Sequence, residues 1–124
     1  AEMYVIECMA NIDEKIVRNN TIPLIKMIRR NGSTVPIVFF EQCIINQDSL
    51  HKNVISSIKE KNIELNKQVD NAIEQGEENI YVIKQSGCID EDTEATVDGI
   101  HFNDLGFQRY AKHFITKVNE LNII

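Results

Sequence analysis

The sequence predicts an α/β domain in which a parallel sheet is covered by helices on both faces. Short, continuous apolar runs, typical of strands buried on both faces, alternate along the chain with longer segments of helical periodicity. The resulting order is strand, helix, strand, helix, strand, helix, and this alternation favours a parallel sheet. We interpret residues 1–124 as a single domain, or part of one, because a chain of this length rarely forms more.

The first half of the chain is predicted to form two strands with a helical region between them. The first strand lies at residues 4–6. A helix is expected to open within residues 13–17, and Thr21 is suited to cap a second helical stretch, with Pro23 tolerated in its first turn. The second strand lies at residues 36–40.

The second half is predicted to repeat the pattern with a longer helix. Apolar residues at spacings of three, four and seven predict a helix over residues 52–75, and a third strand follows at residues 80–83. Residues 84–102 are rich in Gly, Asp, Glu and Thr and are predicted to form a loop, after which Asn103 or Asp104 caps the last helix. Sites in parallel sheets form beyond the carboxyl ends of the strands, so the chemistry is expected in the loops after the three strands.

The composition excludes several classes of function. The formal net charge of -6 makes a nucleic-acid partner unfavourable on electrostatic grounds. No apolar run approaches the roughly 20 residues that span a bilayer. The first residues lack the basic region of a signal peptide, but the chain opens in strand-like sequence and is expected to be a piece of something longer. A cytoplasmic and an exported location therefore both stay open.

The most informative residues for function are Asp98 and His101, in the last predicted loop. They are three residues apart across Gly99, which permits a tight turn. An aspartate so placed can accept a hydrogen bond from one imidazole nitrogen, which sets the tautomer and stabilises the imidazolium formed during proton transfer. The other nitrogen then faces a nucleophile. An isolated pair of this kind is more often a loop aspartate beside a surface histidine than a catalytic pair. The residues around the pair decide between these two interpretations.

That string, DGIHFNDLGF at residues 98–107, resembles the last sequence block of SGNH/GDSL hydrolases. In that family an Asp-x-x-His pair follows the last strand, and an Asn-x-x-Gly stretch opens the closing helix. Phe102 stands where the family commonly has Pro. The resemblance implies a flavodoxin-like, three-layer fold whose first strand or strands are missing from this chain, and an Asp98–His101 pair that serves a catalytic serine.

A second segment, residues 4–11, is similar to the family's third block, a strand ending in a loop with an asparagine. The resemblance implies that the side-chain amide of Asn11 donates to the oxyanion of the reacting ester. The common form of the block is Gly-x-Asn-Asp, whereas Met9 and Ile12 replace the Gly and the Asp here. A capping or turn role for Asn11 is the alternative.

The nucleophile is not identified in this chain. The family's serine block, and a block with an oxyanion-hole glycine, both precede the asparagine block. Residues 47–50, QDSL, imitate the serine motif, but they come in the wrong order and lack its Gly. Asp48 or Ser49 is better suited to cap the following helix. The remaining serines have no supporting motif: Ser33, Ser56, Ser57 and Ser86.

Weaker candidates are Glu41, an acidic run and two further histidines. Glu41 ends the second strand at the edge where a site is expected, either orienting a site residue or as a solvated strand end. Residues 90–94 lack the spacing of a calcium loop and are predicted to be solvated. His51 and His113 are expected at the surface.

The candidate metal ligands and the cysteines in the sequence predict no cofactor. Asp98, His101 and Asp104 together form only a minor metal-site alternative, so we predict neither a metal nor another cofactor. The three cysteines are widely spaced and odd in number, and they are expected to be three buried thiols: Cys8, Cys43 and Cys88.

Two functions follow from these patterns. In the first, the chain is the C-terminal part of a serine hydrolase that cleaves carboxylic esters, such as acetyl or acyl groups on a carbohydrate or small molecule, and it is inactive alone. In the second, it is a truncated, catalytically inactive α/β domain that serves as an interaction module. A sheet without its first strands would expose an edge, so self-association into a homo-oligomer is expected.

Overall fold

The first half of the fold joins two strands through one helix. The computed structural model describes residues 1–45 and 52–123. Strand β1, Tyr4–Ile6, is followed by a 3-10 turn, Met9–Asn11, and by helix α1, Glu14–Arg29.

The second half repeats the alternation, which confirms the predicted order. Strand β2 spans Ile37–Phe40 and leads to helix α2, Lys52–Glu74. Strand β3 spans Ile80–Ile83, and helix α3 spans Asp104–Glu120.

Helix α1 is continuous, so the predicted break with a second cap at Thr21 is wrong. The N-cap is Asp13, whose carboxylate accepts a 2.8 Å hydrogen bond from the backbone N–H of Ile16. The Thr21 hydroxyl instead donates to the carbonyl of Val17 within the helix. Pro23 lies inside the helix and removes one backbone donor. Residues of α1 four apart are buried on one face, and their packing outweighs that loss: Val17, Thr21 and Ile25.

The three strands form one parallel sheet in the order β1-β2-β3. In its register Tyr4 lies opposite Ile37, which in turn lies opposite Ile80. The central strand β2 is buried along its whole length, as expected for a strand covered on both faces. The main core joins the sheet to the apolar faces of α1 and α2: Met9, Val17, Ile25, Ile37, Phe39, Leu65, Val69, Ala72 and Ile80.

The chain divides into two compact units. The first contains Ala1–Gln42 and Ser57–Ile83, and therefore the whole sheet, α1 and most of α2. The second contains the described parts of Cys43–Ser56 and Lys84–Ile124, and therefore the loop after β3 and helix α3. In the described part of the chain, no helix has the length and apolar character needed to cross a bilayer.

Several sequence-based expectations about side chains are corrected. His113, expected at the surface, is buried, and its Nε2 lies 2.9 Å from the carbonyl oxygen of Lys84. Cys43 and Cys88 form a disulfide rather than two buried thiols, while Cys8 is a half-buried free thiol. The apolar periodicity that predicts α2 and α3 also overestimates burial, because five of the apolar residues that form it are exposed: Val54, Ile73, Phe107, Ala111 and Leu121.

Candidate active site

The structure brings Asp98 and His101 into direct contact. Oδ2 of Asp98 lies 2.6 Å from Nδ1 of His101. Oδ1 of the same carboxylate accepts hydrogen bonds from the backbone N–H groups of Ile100, at 2.9 Å, and His101, at 2.8 Å. The carboxylate of Asp98 therefore both closes the backbone turn and orients the imidazole.

The segment that carries the pair, residues 96–102, is called the histidine turn below. Its two ends meet where Thr96 bridges to Phe102, and the N–H of Val97 donates to the carbonyl of His101. Gly99 adopts φ +85°, a conformation that side chains disfavour, and its N–H donates to the Thr96 hydroxyl. Glycine at this position is thus a requirement of the turn.

The hydrogen bonds to Asp98 stabilise its charged form. They lower the pKa of Asp98 from 3.8 to about 2, chiefly through the backbone N–H of His101, then through the imidazole and the N–H of Ile100. The carboxylate is therefore ionised across the neutral range. An ionised partner on Nδ1 favours the tautomer in which Nε2 can accept a proton.

The imidazole is accessible on its other side. The His101 side chain is 76% exposed, and that of Asp98 is 49% exposed. This pair can orient and accept a proton, but residues 96–102 contain no serine or cysteine that could act as a nucleophile. The turn therefore presents an exposed imidazole that a carboxylate orients, and its role as a catalytic base stays a prediction.

Helix α3 supports the histidine turn from its carboxyl side. Asn103 caps the helix by accepting from the N–H of Gly106 at 2.9 Å, and its amide donates to the carbonyl of Glu94 at 2.6 Å. A Cβ atom on Gly106 would overlap the carbonyl oxygen of Ala95. The close approach of α3 to the loop thus depends on glycine at this position.

The acidic run before the turn, residues 90–94, is exposed as predicted, and it also forms ion pairs with helix α3. The guanidinium of Arg109 in α3 makes two hydrogen bonds to Asp92, at 2.7 and 2.6 Å, and lies 3.0 Å from Asp90. The Arg109 hydrogen bond is the main cause that lowers the pKa of Asp92 to about 2. Arg109 therefore ties the loop to the helix.

Asn11 lies in the first unit, apart from the histidine turn along the chain. It ends the 3-10 turn, and its backbone N–H donates to the carbonyl of Cys8 at 3.0 Å. Its side chain is exposed and makes no hydrogen bond to any residue among 1–45 and 52–123. We call residues 9–12 the asparagine turn. Its amide thus has no acceptor among the described residues, and its oxyanion role stays a prediction.

Glu41 is buried rather than a solvated strand end. Its carboxylate accepts a 2.6 Å hydrogen bond from the side-chain amide of Asn66 in α2. The next residue, Gln42, exchanges two backbone hydrogen bonds with the side chain of Asn62. Two asparagines of α2 thus hold the carboxyl end of β2, and a role for Glu41 in orienting a site residue stays a prediction.

Other sequence candidates give no site. Asp48, Ser49 and His51 lie outside the described residues. Within the described ranges, no group of three or more His, Cys, Asp or Glu side chains is arranged to hold a metal ion.

The sequence patterns missed three supporting residues: Arg109, Asn66 and Lys61, whose Nζ lies 2.6 Å from the carbonyl oxygen of Met9 in the asparagine turn. Lys61 carried a usable signal, because a charged residue falls on the apolar stripe of α2 between Ile58 and Leu65. Arg109 and Asn66 carried none, since their partners lie 17 and 25 residues away.

Comparisons with known proteins agree with the fold. The model of the GDSL-like lipase/acylhydrolase family matches residues 1–119. Among solved structures, a Bacteroides ovatus protein described as a GDSL-like lipase superposes with a TM-score of 0.89 and 26% sequence identity. The match covers 97% of this chain but 36% of that protein. No curated protein matches the sequence.

Proposed function

Because the chain belongs to the GDSL-like lipase/acylhydrolase family, we propose that it is the C-terminal part of a serine hydrolase of carboxylic esters. His101 is the general base of this enzyme, and Asp98 orients it. The 2.6 Å contact between Asp98 Oδ2 and His101 Nδ1 carries the proposal, because it leaves Nε2 of an exposed imidazole to accept a proton.

The reaction proceeds in two proton-balanced stages. A serine hydroxyl attacks the ester carbonyl while its proton moves to Nε2 of His101, and the new imidazolium is stabilised by Asp98. The imidazolium then gives that proton to the departing alcohol oxygen, which leaves an acyl-enzyme. Water attacks the acyl-enzyme by the same route, releases the acid and restores the serine.

Asn11 supplies one donor to the oxyanion in this proposal. Its exposed amide follows the carboxyl end of β1, the edge at which parallel sheets form their sites. A preorganised donor of this kind typically lowers the barrier by about 3 kcal/mol.

The serine is proposed to come from elsewhere in a longer protein. The chain spans about 36% of the length of the solved protein that it matches, and its own nucleophile is not identified. We propose acetyl or acyl esters of carbohydrates or small molecules as the substrate class. The family membership supports the hydrolysis of acyl groups, and the type of ester is part of the proposal.

Replacing His101 tests the proposal. In the longer protein, His101→Ala is expected to lower kcat for p-nitrophenyl acetate by about 10⁴-fold or more, because the serine loses its base. Gln108→Ala, at an exposed position of α3, is the control and keeps the activity of the parent. An active longer protein in which His101→Ala is silent would show that the pair is not the catalytic base and its partner.

The isolated chain provides a second test. Residues 1–124 alone are expected to hydrolyse p-nitrophenyl acetate at background rates. Activity in the isolated chain that Ser49→Ala abolishes would identify Ser49 as the nucleophile and would contradict a serine from elsewhere.

The edge of β1 favours the second candidate function, an interaction module. Among the described residues β1 pairs with β2 alone, and its Tyr4 and Val5 are 37% and 46% exposed. Tyr4 donates to Pro36 on the β2 side, so the N–H of Val5 points to the open side. An open edge pairs readily with another strand.

Sedimentation tests this second function. The isolated chain is expected to self-associate at high concentration, and Val5→Pro should reduce this by removing one edge donor. A proline at Thr116 would break α3 and cannot serve as the control. The control is therefore Thr116→Ala, an exposed change in that helix. A chain that stays monomeric at all concentrations would contradict edge pairing.

A further inference from the structure

One lysine of α2 is buried against expectation. Lys61 is 7% exposed and lies on the buried stripe between Ile58 and Leu65. A charged group leaves water only at a cost, unless hydrogen bonds replace its hydration. Burial lowers the pKa of the Lys61 ammonium, and the carboxylate of Asp13 opposes that shift. A lysine held in this position therefore needs specific acceptors.

The acceptors of Lys61 are two backbone carbonyls of the asparagine turn. Its Nζ lies 2.6 Å from the carbonyl oxygen of Met9 and 3.1 Å from that of Ile12. A backbone carbonyl removed from water needs a hydrogen-bond donor, and the Lys61 ammonium supplies one to each of these two carbonyls. The two acceptors come before and after Asn11 in the chain.

We propose that Lys61 is a positioning residue, which holds the asparagine turn so that the Asn11 amide meets the oxyanion. This inference rests on the proposed function of Asn11. The side chains of Met9 and Ile12 pack in or against the main core, so both are anchored inward by side chain and by carbonyl. The Asn11 side chain between them is exposed. The turn thus has a fixed inner side and presents one amide outward.

The accuracy that an oxyanion donor needs gives this tether its effect. Removing one such donor typically costs about 10²–10³-fold in kcat, and a displacement of about 1 Å can cost about 10²-fold. Loss of the Asn11 donor, about 10²–10³-fold in kcat, is therefore the largest effect that a change at Lys61 can have through Asn11.

The test compares three lysine variants of the longer hydrolase. Lys61→Met is expected to lower kcat about 10–100-fold and to change KM less than about threefold, because the oxyanion forms only in the transition state. Lys61→Arg retains donors for the carbonyls and should restore part of kcat. Lys59→Met, at an exposed position on the same helix, is the matched control and should match the parent.

A double variant distinguishes positioning from general support of the fold. If Lys61 acts through Asn11, Asn11→Ala with Lys61→Met has the kcat of Asn11→Ala alone, within about threefold. Independent, multiplying losses would overturn the inference. If Lys61→Met does not fold in a thermal melt, the same cycle with Lys61→Arg decides.

The outcomes separate this inference from the proposed function. If His101→Ala and Asn11→Ala lower kcat but Lys61→Met matches Lys59→Met, only the positioning role fails. If the longer protein is inactive, or His101→Ala is silent, the proposed hydrolase function fails.

Discussion

The histidine turn and the asparagine turn present the side chains of the proposed site by opposite means. In the histidine turn, Asp98 bonds to groups only two and three residues away. In the asparagine turn, the charged tether Lys61 lies 52 and 49 residues from its two acceptors. The first turn is encoded by its own sequence, whereas the second depends on a side chain of α2.

This difference determines what each turn tolerates. A locally closed turn needs particular residue types at fixed spacing, such as the aspartate, the glycine with positive φ and the histidine. A turn held from a distance can carry unusual residues, and here Met9 and Ile12 serve as core anchors.

The histidine turn should lose its proposed function when an amide replaces the Asp98 carboxylate. In the longer protein, Asp98→Asn is expected to lower kcat about 10³–10⁴-fold, because a neutral amide opposite Nδ1 no longer favours the productive tautomer. The measurement is p-nitrophenyl acetate hydrolysis. Asp70→Asn, at an exposed position of α2, is the control. A loss below about threefold would mean that the pair does not orient the base.

One added methyl group on Gly106 should disrupt the packing of α3 against the loop before the histidine turn. Gly106→Ala is expected to lower the free energy of unfolding by about 1–3 kcal/mol, since the new Cβ overlaps the carbonyl of Ala95. Helix propensity alone predicts the opposite sign, a gain of about 1 kcal/mol. Denaturant titration measures the difference, with Thr116→Ala in the same helix as a control expected within about 0.5 kcal/mol. A gain in stability would show that the loop gives way easily.

The asparagine turn should survive loss of the nearest local contact. Asp13→Ala removes the N-cap of α1 and is expected to cost about 1 kcal/mol of stability. Because Lys61 holds the turn, kcat should stay within about threefold of the parent. Asp70→Ala, which caps nothing, is the control for stability. A fall in kcat as large as that of Lys61→Met would assign the turn to its local cap.

The ion pair beside the histidine turn should give the smallest effect, visible in acid. The folded-state pKa of Asp92, about 2, lies below its ordinary 3.8. The carboxylate therefore adds stability above about pH 4, and this contribution is lost as the pH falls toward 2. Asp92→Asn should lower Tm at pH 5, and the gap to the parent should close by pH 2. Glu91→Gln, in the same loop, is the control. A gap that is constant with pH would contradict a charge effect.

Much of the fold was predictable because it depends on short-range patterns. Apolar runs of three to five residues marked each strand, and the periodic stripe of α2 marked its helix within one residue of the observed end. The errors arose where tertiary packing decides. Thr21 is a good cap in isolation, but the buried face of α1 carries the helix through Pro23.

The candidate site divides in the same way. The contact between Asp98 and His101 was predictable, since three residues across a glycine leave few arrangements. The pairing of Arg109 with Asp92 and the disulfide between Cys43 and Cys88 were not, since nothing in the sequence specifies which distant residues meet.

Local sequence is enough to specify the strand and helix order, the family block at residues 98–107 and the closure of the histidine turn, because these depend on spacings of a few residues. Long-range packing is what buries His113, pairs Glu41 with Asn66 and brings Lys61 to the asparagine turn. A buried polar group must find an acceptor or donor, and the fold alone determines which one lies within reach.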